Sequence, residues 1–262
     1  MSDGLGTTMR NIEDITPITR ATDARAVARG TYEQLIALLS ELGPDDWTAT
    51  TECAPWTVKD MVGHLIGAAK ANASIRELLR QQLWAMRHKR EFNGNDLDAM
   101  NELQIRDHQE LTPAHRIQAL QSLTPKAIAG RMRFPGPLRK INVALAQGGS
   151  TAEGMPTSLN MGHLMDVIYT RDAWLHRMDV ARATGRKPAA DSDADRRVVE
   201  DVVAEWARRH GKPFTLTLTG AAGGSFRQGT GGPDLELDAV EFCRTLSGRA
   251  PGEGLLATRV LF

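Results

Sequence analysis

Asp172, His176 and Asp179 stand at i, i+4 and i+7 in the stretch Tyr169-Thr-Arg-Asp-Ala-Trp-Leu-His-Arg-Met-Asp179. If that stretch is helical, the carboxylate of Asp172 and the imidazole of His176 lie on adjacent turns, close enough to hold one metal ion. At about 100° per residue from Met161, the residues Met165, Ile168 and Leu175 fall within about 40° of the origin and mark a face turned to a core. Asp172 falls at about 20°, His176 at about 60° and Asp179 at about 0° on the same wheel. Two carboxylates and an imidazole therefore point where leucines belong, and each needs a partner, an ion or water. Two readings are open: metal ligation, or a buried salt bridge to Arg171, Arg177 or an arginine of another helix.

A third ligand has to come from elsewhere in the chain. His64 is a candidate, because it flanks the apolar stripe Val58, Met61, Val62, Leu65, Ile66 and Ala69. The alternative for His64 is a half-buried histidine satisfied by its neighbours. His163 falls on the far side of its helix from Asp172. Cys53 precedes a helix start and is a candidate nucleophile or a packing residue, and Trp56 and Trp174 suit a core or a cleft wall.

The elements that position these residues read mostly as helices. Periodicity predicts a helix over Ala21–Leu42, stopped by Gly43-Pro44. A second opens at Thr57, an N-cap with Asp60 three residues on, and runs to about His88. Asn93-Gly94-Asn95 breaks it, and 96–130 reads as one or two helices interrupted at Thr112-Pro113. Breaker-rich Phe134–Pro156 reads as a loop that could cover a site. Leu159–Ala183 is a further helix, ended by Gly185. Past Lys187-Pro188 come a helix over Asp191–His210, an alternating strand Phe214–Thr219, a glycine-rich hairpin region over 220–232, a helix over Leu235–Ser247 and strand-like Leu255–Phe262. The expectation is a mainly α protein: a helical bundle over 1–187, then a small α+β domain over 188–262.

Composition narrows the function classes. With 41% hydrophobic residues in 262, a packed core is affordable. The 32 basic and 32 acidic residues cancel, and a pI near 7.1 argues against a dedicated nucleic-acid binder. Two distant cysteines make neither a disulfide framework nor a CxxC clip, which suits a reducing cytoplasm. The N-terminal residues lack signal-peptide character, and no apolar run is long enough to span a membrane, so a soluble cytoplasmic protein is expected.

The string Cys53-Ala-Pro-Trp-Thr-Val-Lys-Asp-Met-Val-Gly-His64-Leu, followed by the Tyr169–Arg186 string that contains Asp172, His176 and Asp179, resembles the mycothiol-dependent maleylpyruvate isomerase family. That family belongs to the DinB/YfiT-like four-helix bundles, and the resemblance extends to Leu246-Ser-Gly-Arg249 and the closing Thr258–Phe262. It implies that His64, Asp172 and His176 are metal ligands, with Asp172 where the characterised isomerase type carries glutamate. Asp179 would then orient His176 or an arginine. It also implies a Zn²⁺ or similar divalent ion that presents mycothiol as a thiolate to a small electrophile, for S-transfer or cis–trans isomerisation. Arg249 would bind a substrate carboxylate, and Arg227 is a weaker candidate of the same kind. The partners expected are a thiol and a small electrophile, with no nucleic acid or membrane, for a monomer or homodimer. A non-catalytic, metal-stabilised binding or stress-response module and a metal-dependent hydrolase are the alternatives.

Overall fold

The computed structural model describes residues 9–144 and 155–262. Residues 10–11 form a short strand β1 (Arg10–Asn11), after which α1 (Ala24–Ser40) buries Ala24, Val27, Ala28, Thr31, Tyr32, Leu35 and Leu39 at helical spacing. α2 (Val58–Ala73) opens with the expected capping box: the Thr57 hydroxyl accepts from the Asp60 N–H, and the Asp60 carboxylate accepts from the Thr57 N–H at 3.0 Å.

The helix expected to run to His88 is instead two. Ser74 takes an extended conformation and caps α3 (Ile75–His88) by accepting from the Glu77 N–H. A serine side chain that satisfies a free N–H makes such a break cheap, and periodicity does not register it. Asn93 and Gly94, both at positive φ, carry the chain into α4 (Asp96–Arg106), capped by Asn95. Thr112 caps α5 (Pro113–Arg133), so the interruption at Thr112-Pro113 is a helix start.

Within the segment read as a loop, β2 (Asn142–Ala144) pairs antiparallel with β3 (Ser158–Asn160). Residues 145–154, part of the expected cover, lie outside the described residues. The helix expected from Leu159 starts after β3, with a single turn α6 (Met161–His163), a π-helical turn at Leu164–Ile168 and then α7 (Tyr169–Ala183). A π turn leaves a carbonyl without its usual partner. Buried Arg131 donates from Nε to the Met165 carbonyl at 2.7 Å and from Nη2 to Thr170 Oγ1, which locks the irregular turn.

α8 (Asp193–His210) is followed by β4 (Phe214–Thr219) and β5 (Gly224–Gln228), which pair antiparallel. β6 (Asp234–Asp238) then runs parallel to β4, and α9 (Ala239–Ser247) starts only after it, capped by Asp238. The helix expected from Leu235 is therefore shorter, because Leu235 and Leu237 alternate with Glu236 and Asp238 and follow the strand period. The closing strand-like residues make a 3₁₀ turn, Gly254–Ala257, and return to α9 through a Val260 N–H to Leu246 carbonyl bond.

α1, α2, α5 and α7 form the bundle, with α3 and α4 laid outside α2. One apolar cluster fills the bundle around Leu35, Met61, Leu65 and Val180. The other joins Ile12, Val27, Trp174 and Met178 to α8, the β1-β5-β4-β6 sheet and α9. The expected boundary at 187 falls in the α7–α8 connection, and both β1 and this second cluster cross it. α7 is thus enclosed on two sides, and the charges it carries on the α8 side are matched there: Arg171 by Asp201 and Glu205, Arg177 by Asp195. No helix of the described residues is long and apolar enough to cross a membrane.

α2 and α5 cross so closely at Gly130 that a Cβ there would sit 1.9 Å from the Asn72 carbonyl oxygen. Backbone cannot yield as a side chain can, so Gly130→Ala is expected to destabilise by about 3 kcal/mol, the upper end for overpacking. The check is a lowered denaturant midpoint with unchanged slope.

Candidate metal centre

α2 and α7 bring His64, Asp172 and His176 together, with candidate ligand atoms all within 4.8 Å of one another. His64 Nε2 lies 3.4 Å from one Asp172 oxygen and His176 Nε2 lies 3.2 Å from the other. Trp56, from the cis-proline turn before α2, walls the site, its ring 5.2 Å from that of His64 and 6.2 Å from that of His176.

These distances can be set beside two arrangements. A charge-assisted N–H···O bond is typically about 2.7–2.9 Å long. Donor atoms sharing a tetrahedral ion at about 2.0–2.2 Å lie about 3.3–3.5 Å apart. The observed 3.2 and 3.4 Å run to different oxygens of Asp172 and are longer than the first spacing, so the carboxylate can meet either a hydrogen or a shared ion. Two borderline nitrogens and one hard oxygen form a set that zinc accepts, with a fourth position left for another ligand.

The far side of each imidazole is also engaged. His176 Nδ1 is 3.0 Å from Asp179 Oδ2, and Asp179 is fully buried. Arg249 donates to both Asp179 oxygens at 2.7 Å, from Nε and Nη2. Burial would push the Asp179 carboxyl up, but hydrogen bonds from His176 and Arg249 and their charges hold it below its usual range. An ionised carboxylate only accepts, so His176 carries hydrogen on Nδ1 and aims Nε2 at Asp172. His64 Nδ1 meets Gln104 Oε1 at 2.8 Å.

Asp172 and His176 polarise each other. Burial disfavours charge on both. The nearby His176 imidazolium, with hydrogen bonds from His176 and His64, nevertheless carries Asp172 far below the carboxylate range. Asp172, with hydrogen bonds to Asp172 and Asp179, likewise holds His176 well above the usual histidine value. Without an ion, a proton on His176 thus does part of the work of a cation between acceptors.

Neither Arg171 nor Arg177 serves as the salt-bridge partner considered for Asp172 and Asp179, since both turn to α8. An arginine from beyond α9 does pair with Asp179. Arg249, expected to grip a substrate carboxylate, is bidentate on this internal carboxylate and touches Cys53 Sγ at 3.2 Å. Cys53, His176 and Asp179 form a second cluster of candidate ligands. The Arg249 guanidinium already supplies the positive charge there, so the Asp172 side is the better place for an ion. Arg227 donates to Asn11 Oδ1 and pins β1 to β5, far from this chemistry in role. His163 pairs with Glu205, as its place on the far side of the helix predicts. Gln104 has no signal in the sequence, because its partner comes from a different helix.

Two outcomes follow. Arg249→Ala leaves a buried carboxylate short of its cation and is expected to cost about 3 kcal/mol in denaturant unfolding. In metal-free protein, the raised His176 pKa contributes stability that is full below the unfolded value of about 6.5 and lost as pH rises through the folded value. The urea midpoint is therefore expected to fall as pH rises above about 6.5, and His176→Asn should flatten that decline.

The family described as the mycothiol maleylpyruvate isomerase N-terminal domain matches residues 28–181. Two solved structures share the fold: the mycothiol-dependent maleylpyruvate isomerase, at 16% identity and TM-score 0.53, and a histidine-to-alanine variant of that enzyme, at 15% and 0.53. Each match covers 92% of this chain and 93% of the other. No curated protein matches. The family match extends over most of the bundle and takes in the helices that carry His64, Asp172 and His176, and the chain belongs to the mycothiol maleylpyruvate isomerase N-terminal domain family, a family of enzymes.

Proposed function

We propose that this chain is a divalent-metal, thiol-dependent enzyme in which His64, Asp172 and His176 hold a zinc-like ion and mycothiol is the cosubstrate. The observation that carries the reading is the convergence of two imidazole Nε2 atoms on one carboxylate at 3.2 and 3.4 Å. Family membership supports sulfur rather than water as the incoming group. Bound there, the ion would supply Lewis-acid chemistry, keeping a thiol deprotonated near neutral pH.

The chain's own groups do the rest. Asp172 balances the charge of the ion and sets its place between α2 and α7. Asp179, clamped by Arg249, keeps the His176 ring oriented and its Nδ1 protonated. The Trp56 ring shields one flank of the site from water. A thiolate delivered beside this wall can add to a double bond conjugated to a carbonyl, allow rotation about the single bond that results, and leave again to give the opposite isomer. The same nucleophile can displace a leaving group and remain as a thioether. Asp179 takes up the arginine assigned earlier to the substrate, so substrate anions are proposed to reach Arg249 only on its outward edge. A thiol cosubstrate kept reduced suits a cytoplasmic setting, and the free thiols Cys53 and Cys243 agree with that reading.

The purified protein is expected to carry about one equivalent of zinc or a similar ion by elemental analysis. His64→Ala and His176→Ala should each lose it, together with thiol-dependent turnover of an electrophile panel that includes a cis-configured unsaturated 2-oxo diacid and a bimane. Turnover should fall more than about 100-fold, beyond the effect of losing an outer hydrogen bond. Undiminished thiol-dependent turnover by metal-free protein overturns the proposal. Tight metal with no turnover favours a binding module, and turnover of ester or amide without thiol favours hydrolysis.

A further inference from the structure

His64 sits at the end of a closed ring of hydrogen bonds across three helices. Its Nδ1 meets Gln104 Oε1 of α4 at 2.8 Å, and Gln104 Nε2 donates to Gln81 Oε1 of α3 at 2.7 Å. Gln81 Nε2 donates to the Gly67 carbonyl of α2 at 3.0 Å and to Glu77 Oε1 at 2.9 Å. The ring thus returns to α2, three residues from where it began. Gln81 and Gln104 are 1% and 4% exposed, so water cannot substitute for a lost partner.

The ring has a direction. A backbone carbonyl only accepts, and so does the Glu77 carboxylate, which hydrogen bonds from Arg80 and Gln81 hold at a pKa of about 2. Gln81 must therefore face both with its NH₂ and turn its oxygen to Gln104. Gln104 must answer with its NH₂ and turn its own oxygen to His64. That oxygen accepts only from an Nδ1–H, so the ring requires a hydrogen on Nδ1 of His64; Nε2, 3.4 Å from Asp172, then carries the lone pair in the neutral imidazole and a second hydrogen, donated to Asp172, in the imidazolium. Gly67 permits the approach: a Cβ there would come within 2.4 Å of Gln104 Cγ.

We propose that Gln104 and Gln81 are positioning residues that read the polarity of the Gly67 carbonyl into the tautomer of His64, holding Nε2 ready as a metal ligand. This rests on the metal reading given above for what Nε2 would bind. The ring does for His64 what Asp179 and Arg249 do for His176, with neutral amides in place of an ion pair. No net charge is added on the His64 side, so the charge near the ion is set by Asp172 and by the Arg249 and Asp179 pair.

The test compares Gln104→Leu, which removes the acceptor, with Gln104→Glu, which keeps an acceptor toward His64 but turns one against Gln81 Oε1. Long-range ¹H–¹⁵N spectra of the imidazoles report the tautomer, and chelator competition reports zinc affinity. The full-length protein is expected to show His64 protonated on Nδ1, metal-free at alkaline pH as well as zinc-loaded. Gln104→Leu should lose this preference and bind zinc about 10–100-fold more weakly. Gln104→Glu should unfold at lower denaturant and still keep both the tautomer and the affinity to within a few-fold. A merely structural role predicts the opposite ranking of the two variants. An unchanged tautomer and affinity in Gln104→Leu overturns the proposal. If the unaltered protein binds no divalent ion, the metal reading fails, while the metal-free spectra of the variants still support or overturn the ring by themselves.

Discussion

The organisation of the bundle turns on a single constraint: a half-buried carboxylate, Asp172, stands between two buried imidazoles at the edge of a helical core. Like every acceptor moved out of water, it has to be met by positive charge, a hydrogen or a metal. His64 and His176 approach it with their Nε2 atoms, and each ring is held from behind by a different device. From this follow the close packing of α2 on its neighbours, the glycine at 67, and the anchoring of α9's exit by Arg249. The segment after α9 is tied to the bundle through the same chemistry that orients His176.

α7 shows why two clusters of core meet at this site. Ala173 and Val180 face the bundle, while Trp174, Leu175 and Met178 face α8 and the sheet. A helix enclosed on two sides has little solvent face for its charges, and only Asp172 and Arg182 keep part of theirs exposed. Arg171, Arg177 and Asp179 are accordingly paired one by one with groups from α8 or the tail. Asp172 stands apart, since its ion pairs are with histidines, weaker and titratable partners. That distinction is the ground for proposing a cation at Asp172 rather than at the paired arginines.

Local features of this arrangement were legible in the sequence, and non-local ones were not. The Asp172–His176 pair is an i, i+4 relation, fully contained in one helix, and the Thr57–Asp60 capping box is an i, i+3 relation. The apolar stripe makes His64 a candidate third ligand, but only the resemblance joins it to the pair, because nothing in its own helix says which neighbour it faces. The helical wheel drawn from Met161 passed through Leu164–Ile168, where the π turn widens the helix and shifts the register. Its conclusion survives because Asp172, His176 and Asp179 all lie beyond that turn and keep their mutual spacing, and because α7 is buried on nearly every side. Ser74 and β6 were misread for a different reason. A serine cap and a four-residue alternation are short signals set beside a longer apolar pattern, and the longer pattern dominated.

Arg249 marks the limit of reasoning by residue type. A guanidinium near a cleft suggests recognition of a substrate anion, and its sequence position gives no hint of an internal rival. The rival is Asp179, fully buried, ionised and bidentate to it. Removing Asp179's negative charge from the interior would leave His176 without the acceptor that fixes its ring, and freeing Arg249 for a substrate would leave that carboxylate buried without its guanidinium. The arginine therefore cannot serve both partners with the same two nitrogens. Those two nitrogens act on the histidine at one remove, leaving only the outward edge for a substrate anion, and the helical bundle and the tail are coupled by a salt bridge whose loss would be felt at Asp172.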